Sequence, residues 1–90
     1  MGTGPRYNLS ALRRVAKITY QAFQHLPRYI RLGMSERQLA WRMGWLLRQG
    51  GAQGRAFPTI VAFGDHAATP HHKPTTRILQ AGDIIKVDAG

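Results

Sequence analysis

Apolar residues recur every three or four positions between residues 9 and 31, which is the spacing of an amphipathic helix. Asn8 or Ser10 is positioned to cap the start of this helix. Pro27 is expected to kink or end it, because proline lacks the amide proton that a helix interior requires. The positions of the predicted stripe are Leu12, Val15, Ala16, Thr19, Ala22, Phe23, Leu26 and Ile30.

A second helix is predicted with both of its ends defined by sequence. Ser35 is placed as the N-cap, and Gln38 three residues later completes a capping box. Gly50 and Gly51 are expected to stop the helix. The side chains expected to pack inward are Leu39, Met43, Leu46 and Leu47. Trp41 and Trp45 lie on an adjoining face, where packing against a sheet is favoured over a binding role.

After Gly54 the pattern changes from helical to β-rich. Residues 57–63 predict a strand, 67–76 a loop, and 84–87 a buried strand that ends at Asp88. The fold class is therefore α+β, in the order helix, helix, strand, loop, strand. Because a two-stranded sheet is weak on its own, we expect the chain to be a portion of a larger domain. Turns are expected at Gly64-Asp65 and Ala81-Gly82-Asp83.

Composition adds an unusual charge to an otherwise ordinary globular sequence. Thirteen lysines and arginines oppose four acids, which gives a net charge of +9. Three interpretations stay open: an anionic partner, solvated helix faces, or an acidic remainder outside this chain. The absence of cysteine excludes disulfides and thiolate metal sites. No apolar run approaches the roughly 20 residues that span a bilayer, so a soluble cytoplasmic protein without a membrane partner is expected.

Two parts of the sequence contain candidate metal-binding or catalytic residues. Asp88 follows an apolar run, and a carboxylate at the end of a buried strand is costly unless it meets a cation or donors. It is a candidate metal ligand, or alternatively an ordinary strand-end aspartate. His71 and His72 lie between Pro70 and Pro74, which restrict the backbone around an imidazole able to move protons. The alternative is a polar surface loop, with His25 and His66 as weaker candidates.

A different class of function is suggested by residues 33–44. A glycine turn followed by a capped basic helix is also typical of a helix-turn-helix DNA-binding module. Arg37, Arg42 and Arg48 could then contact phosphates. This signal is weak, and the β-rich half has no place in such a module, so a nucleic-acid partner is not expected.

Several short motifs together resemble the creatinase/methionine aminopeptidase (M24) family of pita-bread metallohydrolases, especially its Xaa-Pro peptidases. The motifs occur in family order and cover nearly the whole chain, although only the first part of the family's domain. They are Gly33-Met34-Ser35-Glu36, Ala56-Phe57-Pro58 with Ile60-Val61, Pro70-His71, Leu79-Gln80-Ala81-Gly82-Asp83 and Val87-Asp88-Ala89-Gly90.

This resemblance implies a partial pita-bread fold and specific roles for two residues. Asp88 would be the first ligand of a centre of two divalent metal ions (manganese, cobalt or zinc), and residues 1–90 would be the N-terminal portion of the catalytic domain, truncated after this aspartate. His71 would be catalytic and contact the substrate, and His72 is a weaker substrate contact because relatives often have a small residue there. His66 stands where many Xaa-Pro members have asparagine.

The implied activity is hydrolysis of N-terminal peptide bonds by a metal-activated water, on peptides with proline at the second position. The remaining ligands, an aspartate, a histidine and two glutamates, would all follow Gly90. The isolated chain is therefore expected to be inactive, with the C-terminal half of the domain as its partner and a homo-oligomer possible. Methionine aminopeptidases and non-catalytic pita-bread binding proteins share this scaffold and stay as alternatives.

Overall fold

The structure is a computed structural model that describes residues 9–52 and 59–89, with side chains described from residue 17 onward. Helix α1 spans Leu9–His25 and continues into a 3₁₀ turn at Leu26–Tyr29. Pro27 therefore ends the α-helix, as predicted. Ser10 is already inside α1 and is not its cap, while Asn8 lies outside the described residues.

Helix α2 spans Glu36–Gln49 and begins with the predicted capping box. The Gln38 amide donates to Ser35 Oγ at 3.1 Å, and the Ser35 amide donates to Gln38 Oε1 at 2.8 Å. The helix ends at Gly50, and Gly51 follows with a φ of 109° that favours glycine. Both predicted ends of this helix are confirmed.

A strap of residues 75–79 runs beside the start of α2 and completes its hydrogen bonding. The Glu36 amide donates to the Arg77 carbonyl at 3.0 Å, and the Arg37 amide donates to the Thr75 carbonyl at 3.0 Å. Together with the Ser35 cap, these bonds satisfy donors that the first turn of any helix leaves without an internal partner. The helix start is thereby fixed to the segment that follows the histidine loop.

Strands β1 (Thr59–Phe63) and β2 (Ile85–Ala89) form an antiparallel pair in which Val61 faces Val87 and Ile60 faces Asp88. Phe57 and Pro58, also predicted for the first strand, lie outside the described residues. The expectation of a buried second strand is wrong. Exposure alternates along β2 because only one of its faces packs against the core, and Ile84 before it is 70% exposed.

The core lies between the two helices and one face of the sheet. The four predicted inward residues of α2 are all buried. In α1 the core includes Ile18, which the predicted stripe omitted, whereas Phe23 of that stripe is 37% exposed. Within the described ranges, neither helix is long and apolar enough to cross a membrane. The buried apolar cluster comprises Ile18, Ala22, Leu26, Leu39, Met43, Leu46, Leu47, Val61, Phe63 and Leu79.

The two tryptophans of α2 have different surroundings. Trp45 packs against the core and meets Tyr29 edge to face, with ring centroids 6.3 Å apart. Trp41 is 58% exposed, so the packing interpretation holds only for Trp45. The guanidinium of Arg42 lies 4.4 Å from the Tyr29 ring centroid and close to both indoles, which is a cation–π arrangement.

Candidate functional site

A buried carboxylate at the start of α2 organises the loop between the strands. Glu36 is fully buried. Its Oε2 accepts from the Phe63 amide at 2.8 Å and contacts His66 Nδ1 at 2.9 Å. Its Oε1 contacts His72 Nε2 at 2.9 Å and accepts from the Thr75 amide at 3.0 Å and Thr75 Oγ1 at 2.7 Å. We call Glu36, His66, His72 and Thr75 the Glu36 cluster.

These contacts decide the charge of Glu36. Burial alone raises the pKa of a carboxyl group, because it disfavours the ionised form. Here the hydrogen bonds from His72, Thr75, the Phe63 amide and His66 outweigh burial and hold the pKa of Glu36 well below its usual range. Glu36 is therefore an ionised carboxylate inside the protein.

An ionised carboxylate only accepts hydrogen bonds, so the facing nitrogens must carry the protons. His66 is accordingly protonated at Nδ1 and His72 at Nε2. The two imidazole rings also lie against each other, with centroids 4.5 Å apart and planes inclined by 41°. Their side chains are 31% and 11% exposed, so His72 is the more deeply enclosed of the two.

Two imidazoles and a carboxylate are also a donor set for transition metals. The candidate ligand atoms of Glu36, His66 and His72 lie within 4.8 Å of one another. In the present geometry, however, each facing nitrogen carries the proton that it donates to the carboxylate, so it has no free lone pair for a metal. An ion bound at these nitrogens would replace both hydrogen bonds to Glu36.

His71 differs from its neighbour in exposure and in backbone conformation. Its side chain is exposed, and its φ of 55° is the only positive value of a non-glycine residue in the described ranges. Residues held in this region cost of order 1–3 kcal/mol and persist where the surroundings enforce them. Adjacent histidines thus point differently, with His72 turned to Glu36 and His71 towards solvent.

A second layer of polar contacts supports the cluster from behind. The Arg77 amide donates to Thr75 Oγ1 at 3.1 Å, and Arg77 Nη1 lies 3.0 Å from Asp83 Oδ2. This pairing lowers the pKa of Asp83. Gly64 has a φ of 57°, and a Cβ there would lie 2.5 Å from Arg77 Nη2, so both conformation and space favour glycine.

Asp88 lies apart from these contacts, on strand β2. It is exposed and alternates with Lys86 on the face of β2 that points away from the core. The grouping of metal-ligating side chains found among the described residues contains Glu36, His66 and His72 but not Asp88. Of the predicted site residues, His71 and His72 are adjacent in the loop, and Asp88 is positioned separately by the sheet.

Glu36 and His66 are the residues that sequence reasoning missed. An acid at the first position of a helix is favourable for the helix dipole alone, so the position of Glu36 in the sequence gives no reason to expect a further role. His66 was a weak candidate because no spacing rule links it to a residue 30 positions earlier. A usable signal was the scarcity of acids: only four are available to a loop that contains three histidines.

The sequence pattern of metallopeptidase family M24 matches residues 10–90. This chain belongs to that family. A putative Xaa-Pro aminopeptidase of Mycoplasma genitalium is 39% identical over 83 residues, covering 91% of this chain and 23% of that protein. The M24 family is a family of metal-dependent enzymes, so membership implies metal cofactors.

Solved structures of an X-Pro aminopeptidase and a prolidase match the fold of this chain. An X-Pro aminopeptidase from Thermotoga maritima matches with a TM-score of 0.82 at 33% identity, covering 93% of this chain and 25% of that one. Prolidase from Pyrococcus furiosus matches with a TM-score of 0.77 at 30% identity, covering 86% and 24%. The chain thus spans about a quarter of the length of its relatives.

These matches confirm the partial pita-bread fold and the resemblance to Xaa-Pro peptidases. The helix-turn-helix interpretation of residues 33–44 is set aside, because the M24 pattern runs through this stretch and α2 buries its apolar stripe against the sheet. Within the described ranges, Arg42 of that stretch stacks on aromatic rings, and Arg37 Nε donates to the Pro74 carbonyl at 3.5 Å.

Proposed function

We propose that residues 1–90 are the N-terminal portion of the catalytic domain of a two-metal aminopeptidase or dipeptidase acting on Xaa-Pro peptides. The observation that carries this proposal is the exposed Pro70-His71 turn, in which His71 has a left-handed backbone. Similarity to Xaa-Pro aminopeptidases and prolidases supports the substrate class. Because the chain spans about a quarter of these relatives, the activity belongs to the complete protein.

Asp88 is proposed as the first metal ligand. It offers hard carboxylate oxygens from a rigid strand, and its exposed position leaves them accessible to a cation. One carboxylate is a fitting ligand but not a site, so further ligands from beyond Gly90 are required. When bound, a pair of metal ions supplies an activated water and polarises the scissile carbonyl.

His71 is proposed as the residue that contacts substrate and assists proton transfer. An imidazole can both donate and accept a proton near neutral pH. His72 is less suited to this role, because its Nε2 is engaged by Glu36 and its ring is mostly enclosed. The difference between the two adjacent histidines therefore favours His71 as the catalytic residue.

The test is a peptidase assay with added manganese, cobalt or zinc. The intact gene product that contains these residues is expected to hydrolyse Xaa-Pro dipeptides, and the 90-residue chain is expected to be inactive. Intact protein that is folded and metal-loaded but inactive on all Xaa-Pro substrates would refute the proposed activity. Metal-dependent turnover by the 90-residue chain, lost in Asp88→Ala, would instead show that a complete site forms here, for example with a second copy.

The same samples test metal binding without catalysis. Stabilisation by a ligand follows RT ln(1 + [L]/Kd), so weak binding to an incomplete site raises the unfolding temperature very little. We expect this result for the 90-residue chain with each metal. A large, saturable rise that disappears in His66→Ala would show that the Glu36 cluster binds metal.

A further inference from the structure

We propose that Glu36 is a positioning residue, whose buried carboxylate holds the loop that presents His71 in its working conformation. The structural part of this proposal concerns the loop alone. Its consequence for catalysis rests on the proposed function. Glu36 is 0% exposed, so it has no access to substrate and acts through the loop rather than on the reacting atoms.

The contacts of Glu36 enclose His71 from both directions along the chain. Oε2 holds Phe63 and His66, which precede His71 by eight and five residues. Oε1 holds His72 and Thr75, which follow it by one and four residues. One rigid carboxylate, fixed at the capped start of α2, thus fastens both ends of the turn.

This arrangement explains why His71 keeps an unfavourable backbone. A non-glycine residue at positive φ relaxes unless its neighbours prevent it. The residue directly after His71 is His72, and its side chain is tied to Glu36 at 2.9 Å. Rotation of the His71 backbone would displace His72, so the hydrogen bond to Glu36 opposes relaxation. The strained conformation is a product of the cluster.

The second layer extends the same restraint to the strap. Thr75 Oγ1 donates to Glu36 and also accepts from the Arg77 amide, so one hydroxyl connects the carboxylate to the strap backbone. Because the strap is itself hydrogen-bonded to the start of α2, the loop has few independent movements left. Removing the carboxylate, rather than any one histidine, is expected to release the whole loop.

The first experiment is NMR on the 90-residue chain, comparing Glu36→Gln with Ser35→Ala. Ser35→Ala weakens the same helix start but keeps the carboxylate, which makes it the matched control. In Glu36→Gln we expect His66 and His72 to lose their fixed Nδ1–H and Nε2–H forms, seen in imidazole ¹⁵N shifts. We also expect the His71 backbone coupling to leave the left-handed range. Both signals should persist in Ser35→Ala below its unfolding temperature.

The second experiment measures catalysis by the intact gene product. A misplacement of about 1 Å can cost about 100-fold in rate, so Glu36→Gln should lower kcat by about 10–100-fold with a smaller change in KM. Thr75→Val should lower kcat in the same direction, whereas Thr75→Ser keeps the hydroxyl and should restore it. Ser35→Ala, assayed below its unfolding temperature, should keep wild-type kcat.

The outcomes separate the two proposals. A Glu36→Gln chain that folds with unchanged imidazole tautomers and an unchanged His71 coupling would overturn the positioning role. So would a loss of kcat in Ser35→Ala equal to that in Glu36→Gln, since stability alone would then explain it. If Glu36→Gln does not fold, the Thr75→Val and Thr75→Ser pair decides by the same measurements. An intact wild-type protein without peptidase activity refutes the proposed function, while the NMR comparison still decides the role of Glu36.

Discussion

The carboxylates of Glu36 and Asp88 lie in opposite surroundings. Glu36 is fully buried, and both of its oxygens are occupied by donors from the loop and strap. Asp88 is exposed on the outer face of β2, and no partner for its carboxylate is found among the described residues. This contrast indicates that a buried carboxylate whose oxygens all accept hydrogen bonds maintains the fold. An exposed carboxylate without such hydrogen bonds is accessible to a ligand.

The histidines repeat this contrast within a single loop. His72 is turned inward to Glu36, and its neighbour His71 is exposed at a strained backbone. The polar interior and the outward-facing residues are therefore expected to respond differently to mutation. Changes in the Glu36 cluster should lower stability and, through the loop, activity, whereas changes at His71 and Asp88 should lower activity with little effect on stability.

The largest effect is expected at His71 in the intact gene product. His71→Ala should reduce turnover by about 10²–10⁴-fold, the usual contribution of an acid–base group, with metal content nearly constant. His71→Asn is the matched control for backbone strain, because asparagine tolerates positive φ but lacks the imidazole. Steady-state kinetics and metal analysis measure the turnover and the metal content of both variants. If His72→Ala causes this loss and His71→Ala does not, the two roles are reversed.

The next largest effect is expected on the free energy of unfolding, when substitutions of Glu36 and Asp88 are compared by denaturant unfolding of the 90-residue chain. Glu36→Ala should lower the free energy of unfolding by about 3 kcal/mol or more, since each buried donor left without a partner costs about 1–3 kcal/mol. Asp88→Ala should change it by less than about 0.5 kcal/mol, as is usual for exposed positions. Equal effects of the two substitutions would contradict the distinction between a structural and an available carboxylate.

Lowering the pH should weaken the contribution of Glu36 to the stability of the fold. Its pKa is lowered in the folded state, so its stabilisation is present above the ordinary pKa of 4.5 and is lost as the pH falls below that value. His66 and His72 face the carboxylate directly, and Arg77 adds a favourable charge nearby. The difference in unfolding free energy between wild type and Glu36→Gln should therefore be largest near neutral pH and shrink below pH 4.5. A difference that grows on acidification would contradict this assignment.

The smallest effect concerns the cap beside Glu36. Ser35→Ala should lower stability by about 0.5–2 kcal/mol through loss of the hydrogen bond to the Gln38 amide. Thermal or denaturant unfolding measures the change. An unchanged midpoint would mean that the strap, rather than the cap, secures the start of α2.

Local rules predicted the helices better than the sheet. Pro27 and the capping box at Ser35 and Gln38 act on neighbours a few residues away, so their consequences are visible in sequence. The exposure of β2 depends on which face meets the helices, and an apolar run such as Ile84-Ile85 does not reveal it. The omission of Ile18 has the same origin, because the buried stripe of α1 is set by where α2 packs.

The sequence by itself determined the order of elements, the ends of α2, the family and the candidates His71, His72 and Asp88, whose roles stay predictions. Only the tertiary structure decided what Glu36 does. Its five hydrogen bonds join residues 27 to 39 positions apart, and no local pattern links such distant positions. Which of two adjacent histidines turns inward was likewise decided by a buried charge that requires donors.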